Sequence, residues 1–258
     1  MVNRWSRYGI WVATVLLAGI VAEPALAAGD TACPVAEETF AYEPYLTKTA
    51  AALKAGRGVT VVVVGGASTE GRAASSPEAS WPARFAEALK HRYPDATIDW
   101  VVKAVARETT AQMAARFARD VLPQQPTLVI WEAGTADAVR QTDIDEFRAA
   151  LQSGIDQIRA TPAEIVLLDM QYSRLTHSVI YFNRYLVLMR GIADVNDIPL
   201  FPRHKIMYDW AEMGLLDSTE RTPEARRAFA DKLYRCIGRA VADFVTRTPA
   251  SVSGDGQR

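Results

Sequence analysis

Val59-Thr60-Val61-Val62-Val63-Val64-Gly65-Gly66-Ala67-Ser68-Thr69-Glu70-Gly71 is the stretch whose reading decides the fold. Residues 59–64 are β-branched without a break and show no polar–apolar alternation. That pattern belongs to a strand buried on both faces, as in parallel sheets, and Gly65-Gly66 then marks a tight turn. A sheet buried on both faces needs helices on each side of it.

The sequence on either side supplies them. Trp81–Arg92 carries Phe85, Leu89 and then Tyr93 at helical spacing, and residues 96–102 read as a second strand. Residues 109–121 place Met113, Phe117 and Val121 four apart, which predicts one helix with a buried stripe. Strands are expected at 127–131, 163–168 and 198–201, and helices at 144–158, 179–195 and 223–245. Pro223 falls in the first turn of the last helix, where proline fits best. Five strands alternating with helices predict a three-layer α/β/α, doubly wound, flavodoxin-like domain with a five-stranded parallel sheet. No repeat or linker divides it. The expected domain covers residues 28–248, and the polar tail 249–258 is expected to fray.

With 258 residues, 49% of them hydrophobic, and a net charge of −1, the chain has neither the basic surplus of a nucleic-acid binder nor the composition of a disordered segment. Arg4 and Arg7 precede an uncharged run from Tyr8 to Ala22, followed by Ala25-Leu26-Ala27. A basic head, a short apolar stretch and a small-x-small site make residues 1–27 a secretory signal peptide. The run is shorter than the roughly 20 residues a membrane helix needs, so the expected product is periplasmic or secreted, with no stable membrane span. Cys33 and Cys236 are the only cysteines. An oxidising compartment favours pairing them, against the alternative of two free buried thiols.

In a sheet of this kind ligands bind beyond the carboxyl ends of the strands. Those ends carry Gly66 and Ser68, then Glu132 to Asp137 with Gly134, then Asp169 and His177, then Arg203-His204. The first turn is neither a P-loop nor a dinucleotide fingerprint, so no cofactor is expected. Three scattered histidines and two cysteines give no metal-ligand spacing, and no metal is expected. Ser68 is a candidate nucleophile, and the competing reading is a serine that caps a helix or satisfies the turn.

Gly66-Ala67-Ser68 is similar to the Gly-Asp-Ser block of the SGNH (GDSL) hydrolases. The run 128–137 resembles that family's Gly-x-Asn-Asp block and its preceding strand, and Lys103 to Thr109 stands where its second, glycine-containing block belongs. The resemblance extends over nearly the whole exported chain in element order. It implies an SGNH-like fold and hydrolysis of acyl or acetyl esters by a serine, a C-terminal Asp-x-x-His pair and three oxyanion donors. The departures are specific. Ala67 replaces the Asp of the first block and Ala136 the Asn of the third, while Ala106 or Arg107 replaces the Gly of the second. No histidine follows His204, although Asp217 stands in the region of the lost pair with Glu220 at its fourth place. His177 and His204 are therefore the candidates for a recruited base. Gly66, Arg107, Gly134, Asp137 and Arg203 are candidate binding residues for a small acyl or carbohydrate ester. Two functions compete: a serine ester hydrolase, and a catalytically silent homologue that binds such a ligand in the cell envelope. Without a base, loss of activity of about a millionfold is the expected scale.

Overall fold

The computed structural model describes residues 33–216 and 222–249. Residues 1–32, with the expected signal peptide, lie outside them, as do Asp217 and almost all of the tail. After a short 3-10 turn at Glu37–Phe40 come α1 (Thr47–Lys54), β1 (Val59–Gly65), α2 (Trp81–Arg92), β2 (Ile98–Ala104), α3 (Thr110–Ala115) and α4 (Phe117–Asp120). Then follow β3 (Leu128–Glu132), α5 (Thr135–Arg140), α6 (Ile144–Arg159), β4 (Glu164–Leu168), α7 (Arg174–Val179), α8 (Asn183–Val195), β5 (Leu200–Phe201), α9 (Arg203–Glu212) and α10 (Pro223–Val245). The strands form one sheet in the order β2-β1-β3-β4-β5, and every pair is parallel.

The valine run of β1 explains the layering. Val61 and Val63 face a core shared with α1, α2, α9 and α10, whereas Val62 and Val64 face a second core with α3, α4, α6 and α8. All four are completely buried. Because successive residues of a strand point to opposite faces, burial on both sides demands apolar residues at every position.

Two helical expectations and one strand expectation are refined by tertiary contacts. The helix expected over 109–121 is broken at Arg116, whose backbone leaves the α region (φ −106°, ψ 4°). Its buried guanidinium is drawn onto Glu108 at 2.8 Å and the Lys103 carbonyl at 2.7 Å. The helix expected over 179–195 begins only at Asn183, because a separate short helix, α7, capped by Ser173, ends at Val179 and Ile180 turns extended before α8. The last strand is only Leu200–Phe201: the Ile198 amide closes a turn onto Ala193, and the Leu200 amide is held by the buried Glu43 carboxylate at 2.8 Å. Cys33 and Cys236 are disulfide-bonded across 203 residues, with Cα atoms 5.6 Å apart, tying the segment before α1 to α10. No helix among the described residues is long and apolar enough to cross a membrane.

Candidate functional site

Parallel pairing puts the carboxyl ends of β1, β3, β4 and β5 on one edge of the sheet, and the turns after them build the site. Gly65 ends β1 because nothing larger fits. A Cβ there would lie 2.2 Å from Thr69 Oγ1 and 3.0 Å from Glu132 Cβ. The turn then closes through Glu70 N–H to the Gly66 carbonyl at 2.9 Å and Arg72 N–H to Ala67 at 3.1 Å. This brings Ser68 and Thr69 back over the end of β3. Both are buried, at 8% and 1% exposure.

Below them lies a buried polar chain. Arg203, 1% exposed, donates from Nη1 to Ser68 Oγ at 2.9 Å and from Nη2 to Glu132 Oε1 at 2.8 Å. Thr69 Oγ1 donates to the other Glu132 oxygen. A charged pair this deep is tolerated because each ion is hydrogen-bonded as well as paired. The Tyr234 phenol sits against the same group. Burial, and secondarily the Glu132 carboxylate, raise its pKa, while Arg203, the Ala73 backbone and the Ser68 hydroxyl oppose the rise.

Arg203 is positioned by the start of α9. The buried Asp169 at the end of β4 accepts the His204 amide at 2.7 Å, capping that helix from across the sheet edge. Burial pushes the Asp169 carboxyl up to about 7, against the opposing pull of the His204 amide and of Arg203 and Arg190. The His204 ring turns away from Arg203 into an aromatic group. It lies 5.3 Å from Tyr172, 5.5 Å from His177 and 5.9 Å from Phe182. Burial, then the charges of His177 and Arg203, lower its pKa to about 4. Its Nε2 is buried without a hydrogen-bond partner among the described residues.

The sequence-expected residues therefore separate into three groups. Ser68 and Arg203 meet directly. His177 and His204 meet each other, and neither hydrogen-bonds Ser68. Asp137, 1% exposed, belongs to the other core-facing side of the rim. Its Oδ2 accepts the Thr110 amide at 2.9 Å and hydroxyl at 2.8 Å, and that hydroxyl in turn accepts the Gly134 amide at 3.3 Å. Gly134 has φ +89°, and a Cβ there would come within 3.0 Å of Met170 Cε. Arg107 is exposed at φ +68°, a left-handed conformation natural to glycine, and Arg140 holds its carbonyl at 2.9 Å. That conformation is one in which a glycine would stand without strain. Gly66 is half-buried with open space above its Cα. Asp217 lies outside the described residues. Glu132, Thr69 and Tyr234 were not among the expected site residues. A carboxylate closing the apolar run 128–131 was the one available signal, since a charge at the end of a buried strand requires a partner.

Among solved structures the chain is similar to a two-domain esterase (CEX) active on acetylated mannans, at 18% identity and a TM-score of 0.63, covering 80% of this chain and 55% of that one. It spans about half the length of that esterase. Axe2, an acetylxylan esterase from Geobacillus stearothermophilus, matches at 20% identity and a TM-score of 0.53 over 70% of this chain and 94% of its own. The acetyl xylan esterase AlAXEase matches at 17% identity and a TM-score of 0.52, over 68% and 98% of the two chains. These likenesses establish the SGNH-hydrolase fold. No curated protein matches the chain in sequence. The profile of the Non-GDSL lipase-like family matches residues 32–251, the whole described domain. An Ala in place of the Asp of the Gly-Asp-Ser block agrees with that description, and the chain belongs to the Non-GDSL lipase-like family.

Proposed function

We propose that this protein is an exported binding protein for an acyl or carbohydrate ester, in which Ser68 is a fixed hydrogen-bond acceptor rather than a nucleophile. The observation that carries this reading is the bond from Arg203 Nη1 to Ser68 Oγ at 2.9 Å, with Arg203 itself paired to Glu132. A guanidinium has five donors and no acceptor and does not give up its proton, so it cannot take one from serine. Its N–H also engages an oxygen lone pair that would attack a carbonyl. A base is what makes a serine hydroxyl competent, and its loss costs about a millionfold in rate. With Ala136 at the place of the family's amide donor, a further factor of about a hundred to a thousand is missing.

Two features support an ester-shaped ligand. Ser68 and the Arg107 turn follow the neighbouring strands β1 and β2 at the carboxyl edge of the sheet, where ligands of this architecture bind. The fold neighbours include enzymes described as acting on acetylated mannans and acetylated xylo-oligosaccharides. The signal-like segment and the disulfide support an oxidising, exported setting.

The test uses short-chain nitrophenyl esters and a fluorophosphonate probe on the purified, disulfide-bonded protein. The expected result is hydrolysis no faster than that of Ser68→Ala and no labelling. Calorimetric titration with acetylated manno- and xylo-oligosaccharides is expected to give saturable binding that Arg107→Ala weakens. Labelling abolished by Ser68→Ala and by His177→Ala or His204→Ala would overturn the silent reading and identify a recruited base.

A further inference from the structure

β2 is the outermost strand on its side of the sheet and has no strand partner beyond it among the described residues. It is also long, at seven residues, and carries exposed apolar side chains: Trp100 at 39% and Val102 at 38%. Exposed edges of this kind are templates for strand addition. The register with β1 identifies which backbone groups are free. The Thr97 carbonyl and the Val105 amide both bond to β1, at 2.9 and 3.0 Å. Alternate residues of a parallel strand bond to the same neighbour, so 99, 101 and 103 also face β1. The N–H and C=O groups of Ile98, Trp100, Val102 and Ala104 point outward.

We propose that the protein self-associates through this edge, two copies of β2 pairing antiparallel about a two-fold axis at Val101 and joining two five-stranded sheets into one. The sequence of β2 complements itself about that residue. Trp100 falls opposite Val102 of the second copy and Ile98 opposite Ala104, and all four are outward-facing residues able to exchange both main-chain bonds, about eight bonds across the interface. Asp99 falls opposite Lys103 of the second copy, twice, at the non-hydrogen-bonded positions where side chains approach most closely. Neither Asp99 nor Lys103 has an ion-pair partner among the described residues; the pairing gives each one. Moving the axis by one residue in either direction destroys this match: Asp99 then meets Val101 or Val105, and Lys103 meets Thr97 or Val101. Charges on an edge strand ordinarily repel a second strand when like meets like. Here the two-fold axis brings unlike charges together. The proposal is independent of what the carboxyl edge of the sheet binds.

Sedimentation equilibrium across a concentration series, with the disulfide intact, tests it. Wild-type protein is expected to be a monomer–dimer system. Asp99→Lys and Lys103→Asp should each raise the dissociation constant about tenfold or more, because each turns two attractive pairs into two repulsive ones. The combined Asp99→Lys/Lys103→Asp chain should dimerise like wild type. Val102→Pro, which removes an outward N–H, should weaken the dimer without any charge change. Far-ultraviolet circular dichroism checks that each variant remains folded. A wild-type protein that stays monomeric throughout, single variants that dimerise as wild type does, or a double variant as weak as the single ones would each overturn the proposal.

Discussion

Arg203 is the residue on which the candidate site turns, since it joins β5 to Ser68 and to Glu132 at the ends of β1 and β3. Removing one member of a buried ion pair costs more than the pair contributes, because the remaining charge stays buried without a partner. Arg203→Met is therefore expected to lose about 3–5 kcal/mol in urea denaturation. Arg203→Met combined with Glu132→Gln should recover much of that, since the uncompensated charge is gone. The two titrating groups beside it act in opposite directions. His204 has a pKa of about 4 in the folded chain, below its ordinary 6.5, so the unfolded chain binds the proton first as pH falls. Its contribution to stability is present above pH 6.5 and lost down to pH 4. Asp169, raised to about 7, holds its proton in the folded chain more tightly than in the unfolded one. Its contribution is present below pH 3.8 and lost as pH rises to 7. Between pH 4 and 6.5 the two slopes oppose each other. His204→Phe should leave a stability that only falls with rising pH over that window, and Asp169→Asn one that only rises, both read from denaturation midpoints at fixed m-value.

Elements pack here as closely as their smallest residues allow. α10 crosses α2 at Gly238, where an added Cβ would lie 2.7 Å from both Arg84 Cβ and the Phe85 amide nitrogen. Both obstacles sit on the backbone or next to it, so the helices themselves must move. Gly238→Ala is expected to destabilise by about 1–3 kcal/mol, measured by chemical denaturation, despite the better helix propensity of alanine. The start of α1 depends equally on a distant partner. The Glu164 carboxylate accepts the Lys48 and Thr49 amides at 3.0 and 2.7 Å, so β4 caps α1. Such an end is invisible in the helix's own sequence, which begins at Thr47 without a local side-chain cap. α9 is the same case: Pro202-Arg203 carries no periodic signal, and Asp169 supplies the cap from the end of β4.

At the scale of the whole molecule the disulfide closes nearly the full domain into one loop, and by the loop-closure argument its reduction should cost about 2–5 kcal/mol, visible as a lower urea midpoint in the presence of dithiothreitol. Cys33→Ser/Cys236→Ser should show the same loss without reductant. The strand order and the layering follow from features written locally in the chain. The valine run of β1, the apolar runs of β3 and β4 and the fourfold spacing in α6 each bury by periodicity alone, and right-handed crossovers then leave one doubly wound arrangement. The place of Ser68 at a sheet edge was legible for the same reason, because it follows β1 directly. What surrounds Ser68 was not. Glu132, Arg203 and Tyr234 come from three elements far apart in the chain, and nothing in the local sequence tells which of Arg203 and His204 turns toward the serine. Those neighbouring side chains leave the backbone in different directions, so the first turn of α9, fixed by Asp169, decides it. Hydrophobic periodicity is a property of one segment and can be read from it. The pairing of buried polar groups depends on distances among segments, which exist only once the chain has folded.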